Sequence, residues 1–598
     1  MQIYMAVNKI LKGMIDNFKK DFLLEDMELS KAYEYFSNYL LVSKLHPDAF
    51  SDVGDLHRVV VDEKSQFGLD AIAFIVNGNL VVSKEDISCY AKSKTLDVQI
   101  IFIQTKTEEK CDTGDLLKTI QATKNFLMDF DAVTEKNENI LNAKEIYDAL
   151  FEYDNYRYCS GKSPACYIYY VTAAKEWDES LVDSLCRDNE KNMLSSISDI
   201  KSFDIRVFGS QYMIGAYNEI ENNAEVQVYL KNCITLDKIN DVQEVYIGYL
   251  TGDEYLKIIT NKEGELRRRI FYENVRDYQG PENAVNAEIR KTIEDDRQRD
   301  KFVLLNNGVT IITKSVVPLG GNMYELRNFQ VVNGCQTSNE IYNARKYAKD
   351  LLVPIKIIYT TDADLITSIV RATNRQSPVP EEAFVALERY HKELQMLIDQ
   401  YSKDMPLEIF YERRSGEQDT ISNKLGKYQK ITLHGLIRAI TSVYFQDAHV
   451  VYNNNPANIL RNRKDKLFCK EHNLESYYIA SYLFVEFVYL QQKHVLNRKD
   501  YSLRFYIMMI VRSLVVKSVV VPELSSKEIQ KQNADLIKCL KNEQIEKYYL
   551  TAKEIVGKAM EDYLKENADK NAMDARKSAD FCKLVNKRTQ DWITHNTK

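Results

Sequence analysis

The sequence predicts a multidomain protein of the α/β and α+β classes. A mixed sheet flanked by helices is expected over residues 1–220, a central α+β unit over 221–380 and a mostly helical region over 381–598. Three observations carry this. Strand-like and helix-like patterns alternate through the first 215 residues, short β-branched runs recur between 225 and 375, and beyond Pro380 the apolar positions fall almost wholly at helical spacing. At 598 residues the chain also exceeds what one hydrophobic core usually supports.

The first segment opens with "MELSKAYEYFSNYLLVSKL" (27–45), whose apolar and aromatic positions predict a helix. It leads into a hairpin, "LDAIAFIV" and "NLVVS", joined at Asn77-Gly78, a pair suited to a tight turn between strands. A strand at 97–105, a helix near 114–129, a strand at "CYIYYVTAA" (166–174), a helix near 178–197 and a strand at "FDIRVFG" (203–209) follow. An antiparallel hairpin followed by strand-helix alternation implies a mixed sheet covered by helices. In the second segment "EVQVYL", "VYIGYL", "VTIIT", "FQVV" and "VPIKIIY" read as strands. In the third, helices are expected at 381–403, 432–446, 475–492, 502–521 and 526–565, and no repeat of fixed period is present.

Composition narrows the function classes. With 45% apolar and 28% charged residues the chain is ordinary for a folded globular protein, and no low-complexity tract suggests a disordered arm. A net charge of −7 argues against coating nucleic acid by bulk positive charge, but leaves room for a locally basic cleft. The cysteines are scattered without a CxxC pair, so reduced thiols in a cytoplasmic protein are expected. Residues 1–22 lack the apolar run of a signal peptide. The most membrane-like stretch, "FYIMMIVRSLVVKSVVV" (505–521), is interrupted by Arg512 and Lys517, and reads as a core helix. No membrane partner is expected, and the long amphipathic C-terminal helices could bury a homodimer interface. "CKEH" (469–472) has no matching ligand pair for zinc, His434 sits on an apolar helical pattern as a core histidine would, and no P-loop is present.

The chemistry-bearing pattern lies at "DVQIIFIQTKTEEK" (97–110), where an apolar strand ends in Gln104 and Lys106. Side chains two apart share one face of a strand, so the amide and the ammonium point the same way. Together with Asp70 of "GLDAI" and the element order, this resembles the PD-(D/E)xK nuclease core, in its QxK, Mrr-type variant. The resemblance implies a restriction-endonuclease-like fold over the first segment and hydrolysis of phosphodiesters in nucleic acid, with DNA the expected substrate. Asp70 and Gln104 would hold Mg2+ (or Mn2+), Lys106 would orient the attacking water, and Glu34 of the first helix would add a carboxylate. Gln in place of an acid leaves one fewer negative charge on the metal. The alternative is that Asp70 caps a turn and Gln104 and Lys106 form the ordinary polar end of a strand.

Four signatures follow in order: "FYENVRDYQGPENAVNAEIRKTI" (271–293), "FVLLNNGVTIIT" (302–313), "FQVVNGCQTSNEIYNA" (329–344) and "IVRATNRQSPVP" (369–380). They resemble the AIPR family, named for abortive-infection phage resistance, over roughly residues 225–500. The resemblance implies antiviral defence, a central sensing domain and a phage-derived trigger or nucleotide as partner. Asn-Asn-Gly and Asn-Gly mark turns where the backbone reaches positive φ. Asn307, Asn333, Gln336, Thr337 and Asn374 gather polar side chains near them, suited to nucleobase edges or to a ribose and phosphate. Arg276, and Arg413 with Arg414 of "IFYERRSG" (409–416), are candidate phosphate contacts. Asx-type bonding within the turns and a solvated arginine pair are the competing readings.

Overall fold

The computed structural model describes residues 9–596 except 47–48, 51–53, 62–67, 92–93, 134–135, 160–162, 222–224, 238, 262–263, 272–282, 375–388, 413–424, 543 and 569. The fold is mixed α/β with a helical C-terminal region, and divides into two compact units. One comprises Met1–Tyr39, Asp48–Ser210 and Val385–Lys598, the other Leu40–Pro47 and Gln211–Phe384.

The first unit contains a five-stranded mixed sheet of β1 (Ala71–Val76), β2 (Asn79–Val81), β3 (Val98–Lys106), β4 (Ala165–Thr172) and β5 (Ser202–Phe208), in the order β2-β1-β3-β4-β5. Asn77 and Gly78 both take positive φ, 50° and 76°, which matches the twist of a two-residue hairpin and sets β1 antiparallel to β2. β1 is also antiparallel to β3, while β3, β4 and β5 run parallel. Parallel neighbours need crossovers. The helices Thr113–Met128 and Glu138–Phe151 connect β3 to β4, and Glu179–Ser196 connects β4 to β5. Each of the three starts on a side-chain cap: Asp112, Asn137 and Asp178 accept hydrogen bonds from the backbone N–H groups of the first turn. Ile100 and Phe102 of β3 pack with Leu116, Ile120 and Phe126 of the first crossover helix. Burial of such side chains contributes on the order of 2 kcal/mol each. β3 is buried along all but its last residue, which is why its sequence is a continuous apolar run rather than an alternation.

The remainder of this unit is mainly helical, with one short parallel strand pair, Phe410–Glu412 and Lys430–Thr432, and is built around Leu474–Gln492 and Arg504–Val516, both apolar on nearly every side and buried as such helices must be. Arg512 is fully buried there, donating to the Gln532 side chain, with its guanidinium over the Tyr444 ring. The helix stops at Val516, where Lys517 takes a left-handed φ of 54°. The stretch expected as one helix over 526–565 is two, Lys527–Lys541 and Ile545–Glu566. No helix among the described residues is long and apolar enough to cross a membrane, and none of the nine described cysteines is disulfide-bonded.

The second unit carries a six-stranded sheet of β6 (Glu225–Tyr229), β7 (Asn232–Thr235), β8 (Glu244–Thr251), β9 (Val309–Gly320), β10 (Met323–Asn333) and β11 (Leu352–Tyr359), in the order β6-β10-β9-β11-β8-β7. Only the β9–β11 pair is parallel. Ile311, Val331 and Ile357 face a core shared with Tyr255 and Ile258 of the helix Gly252–Ile259. On the other face Ile312 and Val332 meet Ile366, Ile369 and Val370 of the helix Ala363–Asn374.

Candidate functional site

Gly68 takes φ +80°, a value that favours glycine, and turns the chain into β1. Asp70 follows, its backbone N–H on Ile103 O at 2.8 Å and its C=O accepting from Val61 N at 2.9 Å. The pairing of Ala71 with Ile103 sets Asp70 opposite Gln104. Both side chains are buried, and they meet: Gln104 Nε2 donates to Asp70 Oδ2 at 3.0 Å, and the Thr105 N–H donates to the same oxygen at 2.6 Å. One carboxylate oxygen is therefore occupied by two donors, one backbone N–H and one side-chain amide, which fixes the carboxyl group in place. The other end of the amide is different. Gln104 Oε1 is buried and has no hydrogen-bond partner among the described residues.

Tyr170 of β4 lies beside Gln104 in the parallel register, and its phenol oxygen is likewise buried without a partner among the described residues. Burial holds that phenol well above its ordinary pKa, so it is a neutral O–H. Two unmatched polar atoms at adjacent register positions are what a site completed by a ligand or an ordered water leaves behind.

Lys106 ends β3 on the same face as Gln104 and is partly exposed. Its charge reaches the first turn of the helix Thr113–Met128, where Lys118 chiefly, and Lys106 more weakly, hold Asp115 below the usual carboxylate range. Glu34 sits on the helix Leu29–Leu45, 2.5 Å from Lys31 Nζ. Burial opposes the charge on Lys31, but Glu34, with Asp70 and Tyr35 contributing, raises its pKa above the ordinary lysine value. Lys31 thus couples Glu34 electrostatically to Asp70. Neither Lys31 nor Tyr170 is marked in the sequence: Lys31 reaches Glu34 one helical turn away, and Tyr170 meets Gln104 only through the parallel register of β3 and β4.

A carboxylate and an amide carbonyl are hard oxygen donors, and Mg2+ is commonly held by one or two protein oxygens with water and substrate phosphate completing its shell. Asp70 and the unmatched Gln104 Oε1 fit that requirement. Among the described residues no group of three or more His, Cys, Asp or Glu side chains stands together as a metal site, so a cation here would rest on the carboxylate-carboxamide pair.

The second unit brings the two Asn-Gly turns together. Gly334, φ +104°, precedes the helix Cys335–Asn343, and a Cβ there would lie 2.8 Å from Val309 Cγ2. Gly308, φ +78°, is pressed against Pro354 in the same way, its Cβ position 2.8 Å from a backbone oxygen. Asn306, the residue before the predicted Asn307, makes the connection: its Oδ1 accepts from Gly308 N at 2.9 Å and its Nδ2 donates to Thr337 Oγ1 at 3.1 Å. Asn307 is exposed, and Asn333 and Gln336 are half-buried beside the turn. Glu340, fully buried on that helix, receives the Arg290 guanidinium at 2.7 Å through Nε and Nη2. Ser338 bonds Tyr255 at 2.6 Å. Sequence reasoning singled out neither Asn306 nor the Arg290–Glu340 pair. Asn374 is the last residue of the helix Ala363–Asn374, and Arg276, Arg413 and Arg414 lie outside the described residues.

Residues 271–568 match the family model described as AIPR protein. The AIPR region takes in both Asn-Gly turns, the Arg290–Glu340 pair and most of the C-terminal helices; Asp70, Gln104, Lys106 and Glu34 precede it. No curated protein and no solved structure matches the chain.

Proposed function

We propose that the protein acts in abortive-infection defence against phage, and that its five-stranded sheet is a restriction-endonuclease-like, metal-dependent nuclease domain acting on DNA. The AIPR match supports the defence role. The observation that carries the catalytic reading is the buried Asp70–Gln104 pair, one carboxylate oxygen locked by Thr105 N–H and the amide, and the amide carbonyl left without a partner.

In this reading Asp70 and Gln104 hold Mg2+ (or Mn2+), which supplies positive charge against the phosphoryl group. Lys106 projects beside them, where its ammonium orients the attacking water and offsets negative charge developing on phosphorus. Glu34 holds Lys31 in position. The Asn-Gly turns and C-terminal helices of the AIPR region restrain the nuclease until a phage-derived trigger or nucleotide arrives.

A non-catalytic scaffold that binds nucleic acid or a nucleotide is the rival, and Lys31 favours it, because an ammonium group whose charge bears on both Glu34 and Asp70 supplies part of the charge a metal would. The test is cleavage of plasmid, linear and single-stranded DNA and of RNA with Mg2+ or Mn2+ against EDTA, by wild type and Lys106→Ala. Metal-dependent cutting that falls at least about 100-fold in the variant is expected. Cutting that is equal in both proteins, or indifferent to EDTA, overturns the assignment.

A further inference from the structure

Away from Asp70, the first unit contains a cavity of about 40 Å³ whose wall is strongly cationic. Arg58, Arg438, Arg504, Arg576 and Lys577 line it against a single lining carboxylate, Asp86. The cations come from four separate stretches of chain: a short helix before β1, the helix Leu433–Val443, the first residue of Arg504–Val516, and the helix Ala572–Lys577. The fold therefore gathers five positive charges that the sequence keeps apart. In water such charges would repel modestly, but Arg504 is only 2% exposed, and repulsion strengthens as the surroundings lose water.

The carboxylates nearby do little to neutralise this wall. Asp86 is buried, and its Oδ2 already accepts the Val82 and Ser83 N–H groups at 3.2 Å. Burial raises its pKa, while Arg438 and Arg58 work in the opposite direction, placing both guanidinium groups within electrostatic reach. Asp55 lies 3.8 Å from Arg58 and Glu138 3.8 Å from Arg576, both at the outer limit of an ion pair. Arg438 makes no ion pair or hydrogen bond among the described residues. Its charge, after burial, helps push His434 one turn earlier down to about 4. Arg504 is held by aromatic faces, with the Tyr501 ring at 3.9 Å and the Phe505 ring at 4.6 Å, which fixes the plane of its guanidinium.

We propose that this cavity binds a phosphoryl group, with Arg438 and Arg58 as the principal ligands and Arg504 as a fixed backing charge. Planar guanidinium groups present paired N–H donors that match the oxygens of a tetrahedral oxyanion. The volume suits one such group, since it amounts to on the order of three water-sized spaces, too small for a nucleobase. The phosphoryl group could belong to free phosphate, to a nucleotide or to a nucleic-acid backbone, all sharing this chemistry. The site lies among residues of the N-terminal sheet region and the C-terminal helices, so a bound anion would tie these parts of the first unit together. It is independent of the nuclease reading and requires no metal.

The experiment is thermal unfolding and calorimetric titration of the full chain in EDTA, with inorganic phosphate, with ADP and with a short single-stranded oligodeoxynucleotide. Wild type is compared with Arg438→Ala and Arg438→Lys. At least one probe raises the wild-type Tm, by mass action on the folded state, and its affinity falls about tenfold or more in Arg438→Ala, less in Arg438→Lys. Without ligand Arg438→Ala shifts the Tm by no more than a few degrees, because the relief of like-charge repulsion is offset by the loss of a counter-charge to buried Asp86, and affinities are compared per folded molecule. Stabilisation by phosphate alone identifies a free anion as sufficient, and stabilisation by the oligonucleotide alone identifies backbone phosphate. The proposal is overturned if no probe stabilises the wild type, or if every probe binds wild type and Arg438→Ala equally.

Discussion

The end of the first sheet and the turn cluster of the second are both rich in buried polar groups, and they differ in whether those groups are matched. Beside Asp70, the oxygens of Gln104 and Tyr170 are buried without partners among the described residues. Around the Asn-Gly turns, Asn306 is shared between Gly308 and Thr337, Ser338 with Tyr255, and Glu340 with Arg290. An unmatched buried acceptor costs on the order of 1–3 kcal/mol, and persists where something else completes it; a closed network returns that energy as rigidity. Carboxamide density, which marks the Asn-Gly turns in the sequence, does not by itself separate a ligand site from a braced turn.

The sharpest way to break the comparison is Asp70→Asn. This change keeps an oxygen for the Thr105 N–H, now 2.6 Å from Asp70 Oδ2, while removing the negative charge. Metal-dependent cleavage is expected to fall by roughly a thousandfold or more, with Tm changed by only a few degrees. A variant that folds and cuts at the wild-type rate would remove Asp70 from the chemistry and leave its pairing with Gln104 as strand-end bracing.

Glu340→Ala tests the other side. Its carboxylate is fully buried and its partner Arg290 is 29% exposed on the side chain. Removing one member of a buried pair typically costs 3–5 kcal/mol; partial exposure of the arginine lowers the expectation to about 2–3 kcal/mol. Urea unfolding would read this loss, while cleavage per folded molecule stays as in wild type. A variant of unchanged stability would mean that the network is not structural.

Much of the first sheet was legible because its central strands are buried on both faces and must be written as continuous apolar runs, as "QIIFIQ" is. The Gln104–Lys106 face followed from the two-residue period of a strand. Asp70 was tied to Gln104 through the resemblance to the nuclease core; the register that sets them opposite each other depends on β3 lying beside β1 rather than β2, which chain order does not show. Tyr170 and Lys31 were not legible, because they approach the site through strand register and helix packing, which local pattern does not encode. The outer halves of β9 and β10 lack an apolar rhythm in the sequence: the end of β9 is solvated, with Leu319 48% exposed, and β10 interleaves buried Leu326 with Glu325, Arg327 and Asn328. The break near Asn542 carries neither Gly nor Pro, so 526–565 read as one helix. The arginine cavity is invisible in one dimension, its residues lying at 58, 438, 504 and 576.

The smallest effect discriminates most finely, because it contrasts adjacent residues. Asn306 is half-buried and bonds Gly308 N and Thr337, whereas Asn307 is exposed. If the turns are braced structure, Asn306→Ala costs about 1 kcal/mol, the usual worth of a part-buried hydrogen bond, and Asn307→Ala costs almost nothing. Neither changes affinity for a fluorescent nucleotide. If the cluster instead reads a nucleotide, the exposed carboxamide is the one free to contact it. Asn307→Ala would then weaken nucleotide binding several-fold at unchanged stability, and the contrast between the matched and unmatched ends of the two sheets would no longer mark which of them is a ligand site.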